Sequence, residues 1–236
     1  VVLRGLPVLL LLNACAPSPE GRALAYLAHE ARDWPVKNRC YSCHNNGDAV
    51  RALYEARRLS VPADLALVED TRRFLLRPEA WQDNGPKGEF SDKKLAALQF
   101  AAALAAAADA GLPGAEAALP AAAELLRSGQ EPDGSWKVDA DDFPGGPVTY
   151  GRTLATVFAR HVLLRAPPDR FAAAAARAGD WLRRQRPVRV LEAAAVLLGV
   201  PDTPHREHCL DLLRRGQTKD GGWGPYVESA PEAFDT

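Results

Sequence analysis

From residue 21 onward, apolar residues recur at three- and four-residue intervals, and the apolar stretches are interrupted by short clusters of Pro, Gly and Asp. Such spacing lays the apolar side chains along one face of a helix and places turns at the interruptions. The pattern predicts helices over 21–33, 48–59, 62–76, 91–110, 115–128, 150–165, 168–185, 187–199 and 203–215. Asp48, Pro62, Ser91 and Thr203 stand where a cap or first-turn residue is wanted, and Gly111, Gly129 and Gly216 stand just past the last periodic residue. The expected fold class is all-α, a run of helical hairpins. Composition points the same way: 43 Ala favour helix, and Ile, which sheets use readily, is absent.

The first fifteen residues read differently. Leu6 to Leu12 is apolar, follows Arg4, and runs into Leu12-Asn13-Ala14-Cys15 before the chain turns polar. A spanning helix needs about 20 apolar residues, so this short run reads as an export signal rather than a transmembrane segment. Leu-x-Ala-Cys resembles a bacterial lipobox, although Asn13 replaces the usual small residue. The resemblance implies cleavage before Cys15 and lipid on its thiol, which would tether the mature chain to a membrane surface. The expected organisation is a signal over 1–15, an N-terminal helical segment over 16–60 and a repeat region over 61–236.

Within that region the chain repeats itself. At an offset of 87 residues, Leu125-Leu126-Arg127-Ser128-Gly129-Gln130-Glu131-Pro132-Asp133-Gly134-Ser135-Trp136 aligns with Leu212-Leu213-Arg214-Arg215-Gly216-Gln217-Thr218-Lys219-Asp220-Gly221-Gly222-Trp223, identical at eight of twelve positions. The order has a physical logic. Gly at the helix end permits a left-handed cap, Gln bonds exposed backbone groups, Asp-Gly turns the chain, and Trp buries a large ring against the next hairpin. These residues resemble the Q-x-x-D-G-x-W repeats of squalene-hopene cyclases and, more distantly, of protein prenyltransferase β subunits. The resemblance covers about residues 91–236 and implies an α/α toroid of about four hairpins, a partial ring. Trp181-Leu182-Arg183-Arg184-Gln185 looks like a copy that has lost its second half.

Cyclases of that family protonate an alkene with an Asp of a D-x-D-D motif, and Asp139-Ala140-Asp141-Asp142 has that form. These acids fall in an expected loop ahead of Pro144, without the burial that would raise an acid's pKa. Aromatic residues are 7% of the chain, too few for a lining that stabilises carbocations. Asp139, Asp141 and Asp142 are therefore weak catalytic candidates. A prenyltransferase would need zinc, and His205, His208 and Cys209 are the nearest candidates because three- and four-residue spacing shares a helix face. The simpler expectation is a buried Cys209 and surface histidines.

The sharpest chemical motif is Cys40-Tyr41-Ser42-Cys43-His44, which resembles the attachment site of c-type cytochromes over five residues. Two thiols spaced by two residues suit thioether bonds to both vinyl groups of haem, with His44 as proximal iron ligand. Attachment requires export, which the N-terminal segment supplies independently. The chain contains no Met, so the distal position would be taken by His29, His161, His205 or His208, by Lys or water, or stay empty. A disulfide or thiol pair and a structural metal role use the same residues and stay open. Asn45 to Asp48 reads as a turn and helix cap.

The formal charge of −1 excludes nucleic-acid binding by bulk charge. The function expected is an exported, lipid-anchored binding or redox module, offering a concave repeat surface to a protein or an apolar ligand. A toroid-class enzyme and a scaffold with a Cys40–Cys43 disulfide are the alternatives.

Overall fold

A computed structural model describes residues 18–85, 92–138, 151–232 and 236. Among the described residues there are nine α-helices and no strand: α1 (Pro19–Asn38), α2 (Ala49–Arg58), α3 (Glu69–Leu75), α4 (Lys93–Asp109), α5 (Ala115–Ser128), α6 (Gly151–Arg165), α7 (Pro168–Arg184), α8 (Val190–Gly199) and α9 (Arg206–Gly216). A π-helical turn, Cys43–Asp48, leads into α2, and short 3₁₀ turns, Leu65–Val68 and Pro78–Ala80, flank α3. The all-α expectation holds. No helix among the described residues is long and apolar enough to cross a membrane.

Helix starts depart from the expected residues where another side chain caps better. Asp92 accepts from the Leu95 N–H at 2.8 Å and opens α4, while Ser91 lies outside the described residues. The segment predicted as one helix over 62–76 begins instead as a 3₁₀ turn, capped by Asp64 on the Ala66 N–H at 3.1 Å. Helix α1 continues past residue 33 to Asn38 and stops at Arg39, which is left-handed at φ 57°. Asp48 makes no side-chain cap bond, because its carboxylate is engaged elsewhere.

Helices pack in pairs, α4 with α5, α6 with α7 and α8 with α9, while α2, α4, α6 and α8 contact one another in succession. On the other side α5 touches α6 and α7, and α7 touches α8. Helix α4 is apolar nearly all round and buried from Leu98 to Ala107, as expected of a helix with neighbours on every face. Its alanines let those neighbours approach closely. One core cluster runs without a break from Ala28 in α1 to Ala178 in α7, and a smaller one gathers α6, α7, α8 and α9 around Leu182, Val196 and Cys209.

The two repeated segments, 125–136 and 212–223, each form a clip at a helix end, and the two clips share their internal bonds. Trp136 Nε1 donates to the Leu126 carbonyl and Trp223 Nε1 to the Leu213 carbonyl, both at 2.8 Å. Gln130 Nε2 donates to Gly134 O at 3.0 Å and Gln217 Nε2 to Gly221 O at 3.1 Å. The left-handed positions are Gly134 (φ 99°) and Gly221 (φ 92°), in the Asp-Gly turn. The expected left-handed cap at the helix end is absent, since Gly129 has φ −94° and Gly216 is the last residue of α9. Close approach accounts for the latter glycine: a Cβ on Gly216 would stand 2.7 Å from Val190 Cγ2. The degenerate segment keeps only part of the pattern, with Gln185 Nε2 donating back to the Trp181 carbonyl at 2.9 Å.

Candidate functional site

The Cys-His motif sits on a turn held from four directions. Its two intervening residues do the holding. Tyr41 stacks on Phe74 with ring centroids 4.0 Å apart, and Phe74 meets Phe100 of α4 edge-on at 5.1 Å. The Asn84 side chain clamps the Tyr41 backbone, accepting from its N–H at 2.8 Å and donating to its carbonyl at 2.7 Å. Ser42 Oγ accepts from the backbone N–H groups of His44 and Asn45, at 3.1 and 3.2 Å, and so starts the π-helical turn.

Asn46, fully buried, ties the turn to two helices. Its Oδ1 accepts from the Ser42 N–H at 2.9 Å, and its Nδ2 donates to Thr71 Oγ1 at 2.8 Å and to the Ala31 carbonyl at 2.7 Å. The last bond has a covalent cause. In a regular helix the carbonyl of Ala31 would accept from the N–H of residue 35, but residue 35 is proline and has none. The freed carbonyl is buried among packed helices, where an unpaired acceptor would be costly, and Asn46 satisfies it.

Held in this way, Cys40 and Cys43 are both free thiols and both half-buried. The His44 side chain is 34% exposed, and its Nδ1 is turned toward the protein interior, 3.4 Å from Gln99 Nε2 and 3.8 Å from Asp48 Oδ2. Gln99 Nε2 also donates to Asp48 Oδ2 at 2.5 Å, and Arg51 Nη2 lies 3.3 Å from Asp48 Oδ1. Gln99 is fully buried, and its Oε1 has no hydrogen-bond partner. Gly47 allows the turn to lie against α4, because a Cβ there would stand 3.1 Å from Gln99 Cβ. The Asp48 carboxylate, and after it the Cys43 sulfur, hold the His44 imidazolium well above the usual histidine range, at about 10, against the opposing pull of burial.

This arrangement fits the group that the motif implies. A haem c needs two uncombined thiols, a histidine with Nε2 available, and a partner on the other ring nitrogen to fix the ring. The first is met by Cys40 and Cys43; with Nδ1 turned toward Gln99 and Asp48, Nε2 would be the coordinating atom.

A cavity of about 410 Å³ adjoins the turn and is lined from α2, α4, α6 and α8. Asp48 belongs to its wall, with Arg51, Phe158, His161, Leu164 and Leu198. The Arg51 guanidinium lies over the Phe158 ring, 4.4 Å from its centroid.

The other sequence candidates lie apart from this turn or from the described residues. Asp139, Asp141 and Asp142 lie outside the described residues, as does Cys15. Cys209 is wholly buried in the smaller core, which pushes its thiol pKa up. His208 Nε2 bonds the Pro187 carbonyl at 2.7 Å, and no group of three or more metal-ligating side chains occurs among the described residues. Of the proposed distal ligands, His29 is exposed on α1, and His161 lines the cavity 3.6 Å from Asp109.

Sequence reasoning missed Gln99, Asn46 and Asn84. Gln99 did carry a signal, as the one polar residue in the run Leu95–Ala108. Comparison of the chain with protein-family models, with curated proteins and with solved structures gave no match.

Proposed function

We propose that the chain is a redox or binding module in which Cys40, Cys43 and His44 hold a covalent c-type haem. Its body is an arc of helical hairpins of the α/α-toroid type, exported and tethered to a membrane surface through lipid on Cys15. One observation carries the haem reading: two free, half-exposed thiols on a rigid turn stand beside an imidazole whose Nδ1 faces Asp48 and Gln99. The intervening Tyr41 and Ser42 are spent on holding the backbone, which leaves the thiols as the reactive groups of the turn. Bound there, haem would supply one-electron transfer or an iron centre for a small ligand. The chain's own contribution is to present the thiols on one rigid turn and to fix the ring plane of His44.

The toroid reading draws support from the two matching clips and from the succession α2, α4, α6, α8, which lines a cavity of a size suited to a small apolar ligand. Asp48 belongs both to the turn and to that cavity, so occupancy of one would be felt at the other.

The test is expression of the exported chain together with cytochrome c maturation machinery, followed by a pyridine haemochrome spectrum of the denatured, extracted protein. Covalent haem is expected in the native chain, an altered spectrum in Cys40→Ala or Cys43→Ala, and none in the double variant. A colourless native chain with no free thiol would instead support a scaffold carrying a Cys40–Cys43 disulfide.

A further inference from the structure

The residue after the π-helical turn, Asp48, occupies a cap position without capping: no backbone N–H of α2 bonds its side chain. Its carboxylate turns back over the previous helical turn toward His44 Nδ1 and is held there by the buried amide of Gln99 at 2.5 Å and by Arg51 at 3.3 Å. We infer that Asp48, locked by Gln99, is a positioning residue that orients the His44 ring and sets its strength as an electron donor. This rests on the haem reading for its functional meaning, but the orientation is a property of the polypeptide.

Three features carry the argument. First, the spacing of His44 and Asp48 places both on one face of the turn, and the carboxylate lies 3.8 Å from the ring nitrogen that would not face iron, at ion-pair distance. A carboxylate on that nitrogen fixes the tautomer and makes the opposite nitrogen more basic. Second, Gln99 is fully buried in α4, a helix buried without a break from Leu98 to Ala107, and its Oε1 has no partner. A buried polar side chain with an orphaned oxygen costs stability that an apolar residue of the same shape would not. What Gln99 obtains is the bond to Asp48, which a Leu there could not make. Third, Gly47 brings the turn within contact of Gln99, where any side chain would push the two apart.

A more basic ligand favours the ferric over the ferrous state, so this pair would draw the haem potential downward. Arg51 opposes by sharing the carboxylate, while its guanidinium is also engaged by Phe158.

Two measurements test this, one without haem. In the haem-free chain, nitrogen and proton resonances of His44 should show an Nδ1–H protected from exchange, and Asp48→Asn and Gln99→Leu should each abolish that protection. In the haem-loaded chain, Asp48→Asn should move the reduction potential to a more positive value, Gln99→Leu should move it less, and Asp48→Glu should restore part of the native value. Unchanged ring resonances in folded Asp48→Asn overturn the inference. So does an unchanged potential in loaded protein. If the native chain takes up no haem, the functional reading fails, and the ring resonances alone decide whether Asp48 orients His44.

Discussion

The clip at 125–136 and the clip at 212–223 begin from nearly the same residues and make the same internal bonds, yet they occupy different surroundings. Trp136 is 3% exposed and Trp223 only half-buried. Around the first clip, Gln130 Nε2 donates also to the Ala174 carbonyl at 2.9 Å, and Arg177 donates to Gln130 Oε1. Trp181 Nε1 donates to Asp133 Oδ2 at 3.1 Å, and the Trp136 N–H donates to Thr156 Oγ1 at 3.0 Å. Those partners come from α6 and α7, so the first clip fastens one helix pair to the next. In the second clip the Trp223 N–H donates to Thr236 Oγ1 at 2.9 Å, and just beyond it the Pro225 carbonyl accepts from the Val190 N–H at 3.1 Å. Local sequence therefore writes the turn, while the neighbouring pair determines how much the turn stabilises.

Removing the rings tests this most strongly. Trp136→Ala should cost about 3–5 kcal/mol in a urea unfolding measurement, the range for a buried aromatic lost from a core. Trp223→Ala should cost about 1–2 kcal/mol, since less apolar surface and one similar hydrogen bond are lost. Equal losses would mean that the hairpins contribute nothing beyond the turn itself.

A smaller difference should separate the glutamines. Gln130→Ala removes bonds to the turn and to α7 and should cost about 1–2 kcal/mol, whereas Gln217→Ala removes a turn bond and should stay below about 1 kcal/mol. A double variant with Arg177→Ala would sharpen the result, because coupling is expected with Gln130 and absent with Gln217.

The smallest effect is acid sensitivity. Burial pushes the Asp133 pKa up, but its bonds from Ser135 and Trp181 and the charge of Arg152 outweigh this and hold it below the ordinary value. A carboxyl with a lowered folded pKa contributes stability above its unfolded pKa, which is lost as the pH falls through the folded one. Asp133→Asn should therefore flatten the fall in unfolding midpoint as the pH drops below the ordinary carboxylate range. In Asp220 the lowering comes chiefly from Thr218, within the clip itself. Asp220→Asn should flatten the curve too, without any dependence on Trp181, whereas Trp181→Phe should reproduce part of the Asp133→Asn effect.

Much of the architecture was legible before any coordinates. The periodicity of α5 (Ala115–Ser128) places that helix to the residue, and in each clip the expected Gln-to-backbone bond and Asp-Gly turn are present. These are local facts: helix periodicity and turn chemistry act over a few residues, so a short window of sequence contains their causes. Gly111 is left-handed just past α4, but Gly129 and Gly216 are not, and sequence misses the reason for Gly216 because its cause is not local. Gly216 is required by Val190, which arrives from another helix and leaves no mark near residue 216.

The same division holds at the Cys-His turn. Its spacing alone names Cys40, Cys43 and His44 as candidates, because the haem attachment we propose would use residues adjacent in the chain. Their surroundings were beyond reach: Pro35 frees a carbonyl that Asn46 takes, Asn84 clamps Tyr41 from 43 residues away, and Gln99 reaches Asp48 across 51. Sequence determined which elements form and which groups are candidates for chemistry, since both depend on neighbours along the chain. Tertiary structure decided what each polar group faces, because a buried hydrogen bond is specified by packing that brings distant residues within about 3 Å.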